Sequence, residues 1–355
     1  MDKIFEAVGL EGEYQNRLLI INIFTGFLPC IYSCQIPFLT KHPSFFVQKL
    51  KSDEPYKIYE LEFSQEFCDS SLYKITKNPN KSIINWSYTY DLYCNNETYI
   101  TIITSIIFVG GMIGTLTIIP SIDKYGREII LKICVFALLI LYLNQLFCLG
   151  PTHLIFINFI GGIFSPIFSI CYALFTEFYP KRKNGLLIGF FNAIYPLMGI
   201  SLCLFFMVSY NWRFLYLITS LAHIYYTFIT FRYFLESPRW LHSVGNKQKC
   251  LETLTKLANY NGRQEQWLYF QNKNKDLIKK IGTPFLEKEE SNVNFIKLTI
   301  ISICSLYNYF GIILNLGKMK GNFYLNSIFA FLGEFICELI SGKLSDNYGR
   351  IFFFM

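Results

Sequence analysis

A chain of 355 residues that is 52% hydrophobic, 18% aromatic and only 16% charged, with a mean hydropathy of +0.33, has a membrane composition that excludes an ordinary soluble enzyme. Its net charge of +7 does not point to nucleic acid, because Lys and Arg are spread over short connections between apolar runs and form no single basic face. Eleven cysteines build neither a disulfide scaffold nor a metal set: most lie inside apolar runs (Cys30, Cys34, Cys134, Cys171, Cys203, Cys304, Cys337) as small apolar residues, and no pair has ligand spacing.

A hydrocarbon core of about 30 Å takes roughly 20 mostly apolar residues per helix, and the sequence predicts eight such spans with a ninth begun near the end. Residues 1–39 are expected to hold a short N-terminal segment and span one, from about Leu18 to Leu39. The N-terminus is acidic (Asp2, Glu6, Glu11, Glu13) and lacks a basic region, so this first run reads as a retained span, not a cleaved signal. Asn22, Pro29, Gln35 and Pro37 interrupt it; they face either a cavity and neighbouring helices or belong to a Pro-distorted helix end.

Residues 40–98 are polar and hold three sequons, at Asn80, Asn85 and Asn96, confined to this one loop, which places it in the lumen or outside the cell as a glycosylated segment. Cys68 and Cys94 are its two cysteines. An oxidising compartment would let them pair, stabilising the loop by on the order of 3 kcal/mol; the alternative is two free thiols.

Residues 99–234 carry spans two to six: about Tyr99–Ile119, Ile129–Leu149, His153–Thr176, Gly185–Val208 and Trp212–Phe234. Gly110, Gly111 and Gly114 in span two have the small-residue spacing that lets helix backbones approach. Between spans two and three stands Asp123-Lys124-Tyr125-Gly126-Arg127, a charged turn that returns near the end of the chain as Asp346-Asn347-Tyr348-Gly349-Arg350 and predicts two related halves. Residues 235–294 form a polar, helix-patterned connector. Residues 295–355 carry spans seven (about Phe295–Leu316) and eight (about Phe323–Ile340) and the start of a ninth.

The basic connections alternate with poorly basic ones, so the charge rule places the N-terminus and the connector in the cytoplasm. The sequon loop then falls outside, and two unrelated rules agree. No H-E-x-x-H, G-x-S-x-G or Walker loop is present, and four scattered histidines (His42, His153, His223, His242) make no ligand set. The chain is therefore expected to be no enzyme and to need no metal or cofactor.

Gly342-Lys343-Leu344-Ser345-Asp346-Asn347-Tyr348-Gly349-Arg350 resembles the major facilitator superfamily signature G-x-L-x-D-x-x-G-R. The earlier copy keeps Asp123, Gly126 and Arg127 but has Ile119 and Ser121 where the family has Gly and Leu. Glu236-Ser237-Pro238-Arg239-Trp240-Leu241, Tyr90-Asp91-Leu92-Tyr93-Cys94 and Thr176-Glu177-Phe178 are similar to strings of the organic cation and anion transporter branch, as is the long first loop, although it has fewer cysteines than that branch.

The resemblance implies an all-α polytopic membrane fold with a six-helix N-terminal bundle and an incomplete C-terminal one, in a C-terminally truncated member. It implies a plasma-membrane, multi-pass carrier of small organic ions, organic cations first, working by alternating access, with the lipid bilayer and its solute as partners. The alternatives are a sugar porter or other solute porter of the same superfamily, and a non-transporting relative that binds a partner.

It further implies a charged gate, latching the two halves in one state and breaking in the other, in which Asp123 sits against a helix N-terminus and meets Arg127, with Glu177 and Arg182 as partners, the motif residues Gly126, Glu236 and Arg239, and the second copy at Asp346, Gly349 and Arg350. A permanent turn is the bland alternative. Phe168 and Tyr172 on span four, Asn192 and Tyr195 on span five, Tyr309 on span seven and Glu334 on span eight match substrate-cavity positions. Packing aromatics and an interhelical bond are the competing roles. Glu338, one turn from Glu334, is a second intramembrane carboxylate.

Overall fold

Long apolar stretches become helices here; those carrying Pro37, Pro166 and Pro196 are each split in two, whereas Pro120 is absorbed within one helix. The computed structural model describes residues 2–9, 12–50, 58–178, 184–209, 211–279, 281, 293–315 and 319–348. Among them, six helical stretches are long and apolar enough to cross a membrane: Cys94–Tyr125, Arg127–Leu146, Pro151–Phe178, Ile188–Val208, Trp212–Tyr233 and Phe323–Leu344. Two further helices, of 22 and 23 residues, stand where spans one and seven are expected.

In chain order, α1 (Asp2–Val8) precedes span one, which is built from α2 (Glu13–Cys34) and α3 (Ile36–Thr40). The join falls at Gln35, beside Pro37, whose ring cannot donate to the helical ladder. A short α4 (Trp86–Thr89) lies in the loop. Spans two and three are the unbroken α5 (Glu97–Tyr125) and α6 (Arg127–Leu146). Span four splits at Ser165-Pro166 into α7 (Pro151–Phe164) and α8 (Ile167–Phe178). Span five splits at Ala193 into α9 (Asn184–Asn192) and α10 (Ile194–Val208), and span six is α11 (Trp212–Tyr233). After the connector helices, α16 (Val293–Asn315) and α17 (Phe323–Tyr348) are spans seven and eight.

The tightest helix pair is α5 with α7, and glycines make it possible. A Cβ on Gly110 or Gly114 would strike the carbonyls of Phe159 and Ile163, and one on Gly162 would strike that of Ile107. α17 runs along both α9 and α10 and so joins the first half of the chain, up to residue 281, to the second (α16, α17). The Gly189 and Gly199 positions, which would clash with the Glu338 carbonyl and the Phe331 ring if they carried a Cβ, set that approach.

The spans are wholly helical, but the first loop adds a sheet that composition alone did not foretell. β1 (Phe45–Lys49) lies between β2 (Ile58–Leu61) and β3 (Tyr73–Lys77), antiparallel to both. Phe45 and Val47 alternate inward and are buried. The loop is tied to the helices at one end, here called the sheet end: the Trp212 amide donates to the Ile84 carbonyl at 3.0 Å, and the Tyr90 hydroxyl donates to the Cys148 carbonyl at 2.7 Å.

At the opposite, connector end, α12 (Pro238–Ser243), α13 (Lys247–Tyr260), α14 (Gln264–Lys273) and α15 (Lys275–Lys279) fold back on the first half. Asn261 is the knot: its amide donates to the Val8 carbonyl at 3.1 Å, the Gly9 carbonyl at 3.2 Å and Gln15 Oε1 at 3.1 Å, and its oxygen accepts the Tyr14 N–H at 3.0 Å. Tyr14 then accepts the Leu235 N–H and packs on Phe178 and Tyr260, so α1 and the connector form one cap under the bundle.

Candidate functional site

At the connector end, Gly126 ends α5 and opens α6 with a φ of +104°, which a side chain would strain; a Cβ there would also run into the Glu236 carboxylate and Trp240. That space is filled by Glu236, whose Oε1 accepts the Arg127 N–H at 3.0 Å and whose Oε2 accepts the Glu128 N–H at 3.1 Å. A carboxylate on two free N–H groups at a helix start is favoured by both the hydrogen bonds and the helix dipole. Burial nevertheless holds the Glu236 carboxyl above the usual carboxylate range, against the lowering effect of those N–H groups.

Arg127 reaches from this turn across the bundle. Its guanidinium lies 3.1 Å from Glu177 on α8 and 3.1 Å from Asp123, and donates to the Ile122 carbonyl at 3.3 Å. Trp240 covers it, with its ring centre 5.7 Å from the guanidinium carbon and its indole N–H donating to the Asp123 carbonyl at 2.9 Å. Two expectations are corrected. Asp123 does not sit at the helix N-terminus; it is 75% exposed on the last turn of α5, and Glu236 takes that place. Every described partner of Arg127 belongs to the first half, so these contacts brace α5, α6, α8 and α12 and do not join the halves. Arg239 lies over the Phe5 ring at 5.3 Å. Arg182, Gly349 and Arg350 lie outside the described residues, and Asp346 is placed only as part of the last turn of α17.

Midway along the spans, the predicted aromatic and carboxylate positions converge between the halves. The Tyr195 and Tyr309 rings meet edge to face at 6.0 Å, and the Tyr309 hydroxyl donates to Glu334 Oε2 at 3.3 Å. Asn192, at the break between α9 and α10, donates to Glu338 Oε2 at 3.3 Å. Phe168 and Tyr172 are both half-buried, and both pack on Phe191, at 4.6 and 5.9 Å. Glu334 and Glu338 of α17 thus each meet a neutral donor. Phe191 was missed from the sequence because it is one of 36 phenylalanines; its place beside Asn192 was the available signal.

At the sheet end, Cys68 and Cys94 form a disulfide with a Cα–Cα distance of 5.3 Å. Asn80 and Asn96 are exposed. Asn85 is not: it is 1% exposed, its amide donates to the Phe38 and Lys41 carbonyls, both at 2.8 Å, and its oxygen accepts the Tyr88 N–H at 2.9 Å as the cap of α4. A glycan needs that nitrogen, so the geometry argues against the second sequon. This side chain is a structural clamp that the sequon pattern concealed.

The family model described as Major Facilitator Superfamily matches residues 79–355. Among curated proteins, the chain is 28% identical over 207 residues to "Organic cation/carnitine transporter 6" of Arabidopsis thaliana, covering 54% of this chain and 39% of that protein. It is 25% identical over 291 residues to human "Solute carrier family 22 member 2", covering 78% and 50%. It is 24% identical over 319 residues to mouse "Solute carrier family 22 member 3", covering 82% and 56%. The chain spans about half the length of the curated relatives it matches.

Proposed function

The chain belongs to the Major Facilitator Superfamily, and on that premise we propose that it carries small organic cations across a membrane by alternating access, with the substrate held between the halves. The observation that carries this reading is the middle layer: Glu334 and Glu338, two carboxylates within a membrane-spanning helix, face Tyr195, Tyr309 and Asn192 of the packed interface. A carboxylate at membrane depth is costly and serves a function by default. Ring faces beside it add attraction for an alkylated ammonium, worth roughly 0.5–2 kcal/mol per ring. The name of the plant relative, an organic cation/carnitine transporter, favours the same substrate class.

In this reading Phe168, Tyr172, Asn192, Tyr195, Tyr309 and Glu334 contact the cation, and Glu338 adds charge behind Asn192. The Glu236–Arg127–Glu177 brace keeps the connector ends of α5, α6 and α8 together, so that the first half moves as one body while α17 shifts along α9 and α10. The protein sits in the plasma membrane with its N-terminus and connector cytoplasmic and its sheet loop outside.

Uptake of radiolabelled tetraethylammonium into cells making this chain tests the reading. Uptake above that of control cells is expected, falling at least tenfold in Glu334→Gln at equal surface abundance. Equal uptake in the variant would remove Glu334 from the site, and no uptake above control would sink the cation assignment and leave a porter of another solute or a partner-binding relative.

A further inference from the structure

Where the two halves meet at the sheet end, a cation is already held by aromatic rings. The Lys41 ammonium nitrogen lies 4.4 Å from the centre of the Phe323 ring and 5.8 Å from that of Tyr324. Lys41 belongs to the first half, at the start of the loop, and the two rings open α17 of the second. Phe323 is buried and meets Phe38 edge on at 5.1 Å; Phe38 stacks on Phe206 at 5.3 Å, and the Tyr324 hydroxyl donates to the Phe206 carbonyl at 3.2 Å. The rings therefore cannot swing freely. The lysine is equally fixed at its base, because Asn85 holds the carbonyls of both Phe38 and Lys41.

We propose that Phe323 and Tyr324, with Phe38 buttressing Phe323 from behind, form an outer receiving site for small organic cations, and that Lys41 fills it as a tethered occupant that an incoming cation must displace. This rests on the reading of the protein as a cation carrier and names a second place, above the middle layer, where that substrate is held. An ammonium leaves water for an aromatic wall only when the ring quadrupoles offset the lost hydration. Burial pushes the Lys41 ammonium below the usual lysine range, with the nearby Glu62 carboxylate acting against that shift. A permanently charged alkylammonium loses less hydration on the same rings and cannot shed its charge. The site also lies across the boundary between halves, where a solute entering from the sheet end must pass.

A tethered occupant reduces the apparent affinity of any competitor by the fraction of time the site is filled. Binding of tritiated tetraethylammonium to the purified full chain, in wild type, Lys41→Met and Lys41→Arg, reads that fraction. Met keeps the apolar stem and removes the charge, so Lys41→Met is expected to bind on the order of tenfold tighter, whereas Lys41→Arg stays near wild type. Adding Phe323→Leu to Lys41→Met is expected to cancel the gain; Tyr324→Leu takes its place if the first pair does not purify as a single species. Wild-type binding that Lys41→Met leaves unchanged would overturn the outer site while leaving the carrier reading standing. A gain that survives both ring substitutions would also overturn it, since Lys41 would then act only as a distant charge. Binding by neither wild type nor Lys41→Met would bring down the carrier reading, and the outer site with it.

Discussion

Asn85 shows how one side chain can satisfy a motif and still be unavailable to it. Its three hydrogen bonds pin the start of α4 to the end of α3, and breaking them leaves one buried and one partly buried carbonyl unpaired, at roughly 1–3 kcal/mol for the buried one. Peptide N-glycosidase treatment of surface protein in heavy-oxygen water is expected to mark Asn80 and Asn96 as labelled aspartate and to leave Asn85 unlabelled. Label at Asn85 in folded protein would contradict the clamp. Asn85→Ala is expected to lower surface abundance severalfold, which a glycan signal alone would not do.

The charged turn makes a second residue-level case. Asp123 is largely exposed and forms a pair of the kind that contributes about 0.3–0.5 kcal/mol. Glu236 caps a helix, and losing a cap costs about 1–2 kcal/mol. Glu236→Ala is therefore expected to lower the melting temperature of purified protein by several degrees, and Asp123→Asn by one degree or less. The reverse order would mean that the turn is held by the exposed carboxylate. The sequence showed which residues belong to this cluster, since the repeated string and the Glu236 motif marked them. It could not show which carboxylate met the helix start, because two acids more than a hundred residues apart compete for one place.

At the scale of elements, apolar run length located the spans, and the spacing of Gly110, Gly111 and Gly114 marked a small-residue face on α5. The splits at Gln35, Ser165 and Ala193 were less legible: Pro37, Pro166 and Pro196 are visible, yet Pro120 sits inside α5 without ending it. Whether a proline breaks or is absorbed depends on neighbours that periodicity does not report. The α5–α7 contact carries a sharp expectation. Gly114→Leu would place a side chain against the Ile163 carbonyl and is expected to abolish the monodisperse peak in detergent, whereas Gly111→Ala, whose Cβ meets the Ser165 hydroxyl at 3.3 Å and the Gly162 carbonyl at 3.8 Å, is expected to leave it intact. Similar loss from both would show that the helices are not in this register. The sheet of the first loop stayed hidden because its strands are four or five residues long, in a polar stretch where alternation is weak.

At the scale of the molecule, the repeated motif and the count of spans made the two-half plan legible, and the middle layer followed from the resemblance residue by residue. The mutual arrangement did not: that Asn192 meets Glu338 and Tyr309 meets Glu334 depends on α17 seating along the jointed α9–α10 pair, a long-range fact. The Asn261 knot redraws one boundary as well. Composition places the divide between first half and connector near residue 235, yet α1, α12, α13 and α14 are bound to the first bundle as firmly as its own loops. A fluorophore on α13 is thus a fixed beacon for the first bundle: in the proposed alternating-access cycle its energy transfer to a dye at Tyr125 should hold constant, while its transfer to a dye on α17 should rise and fall.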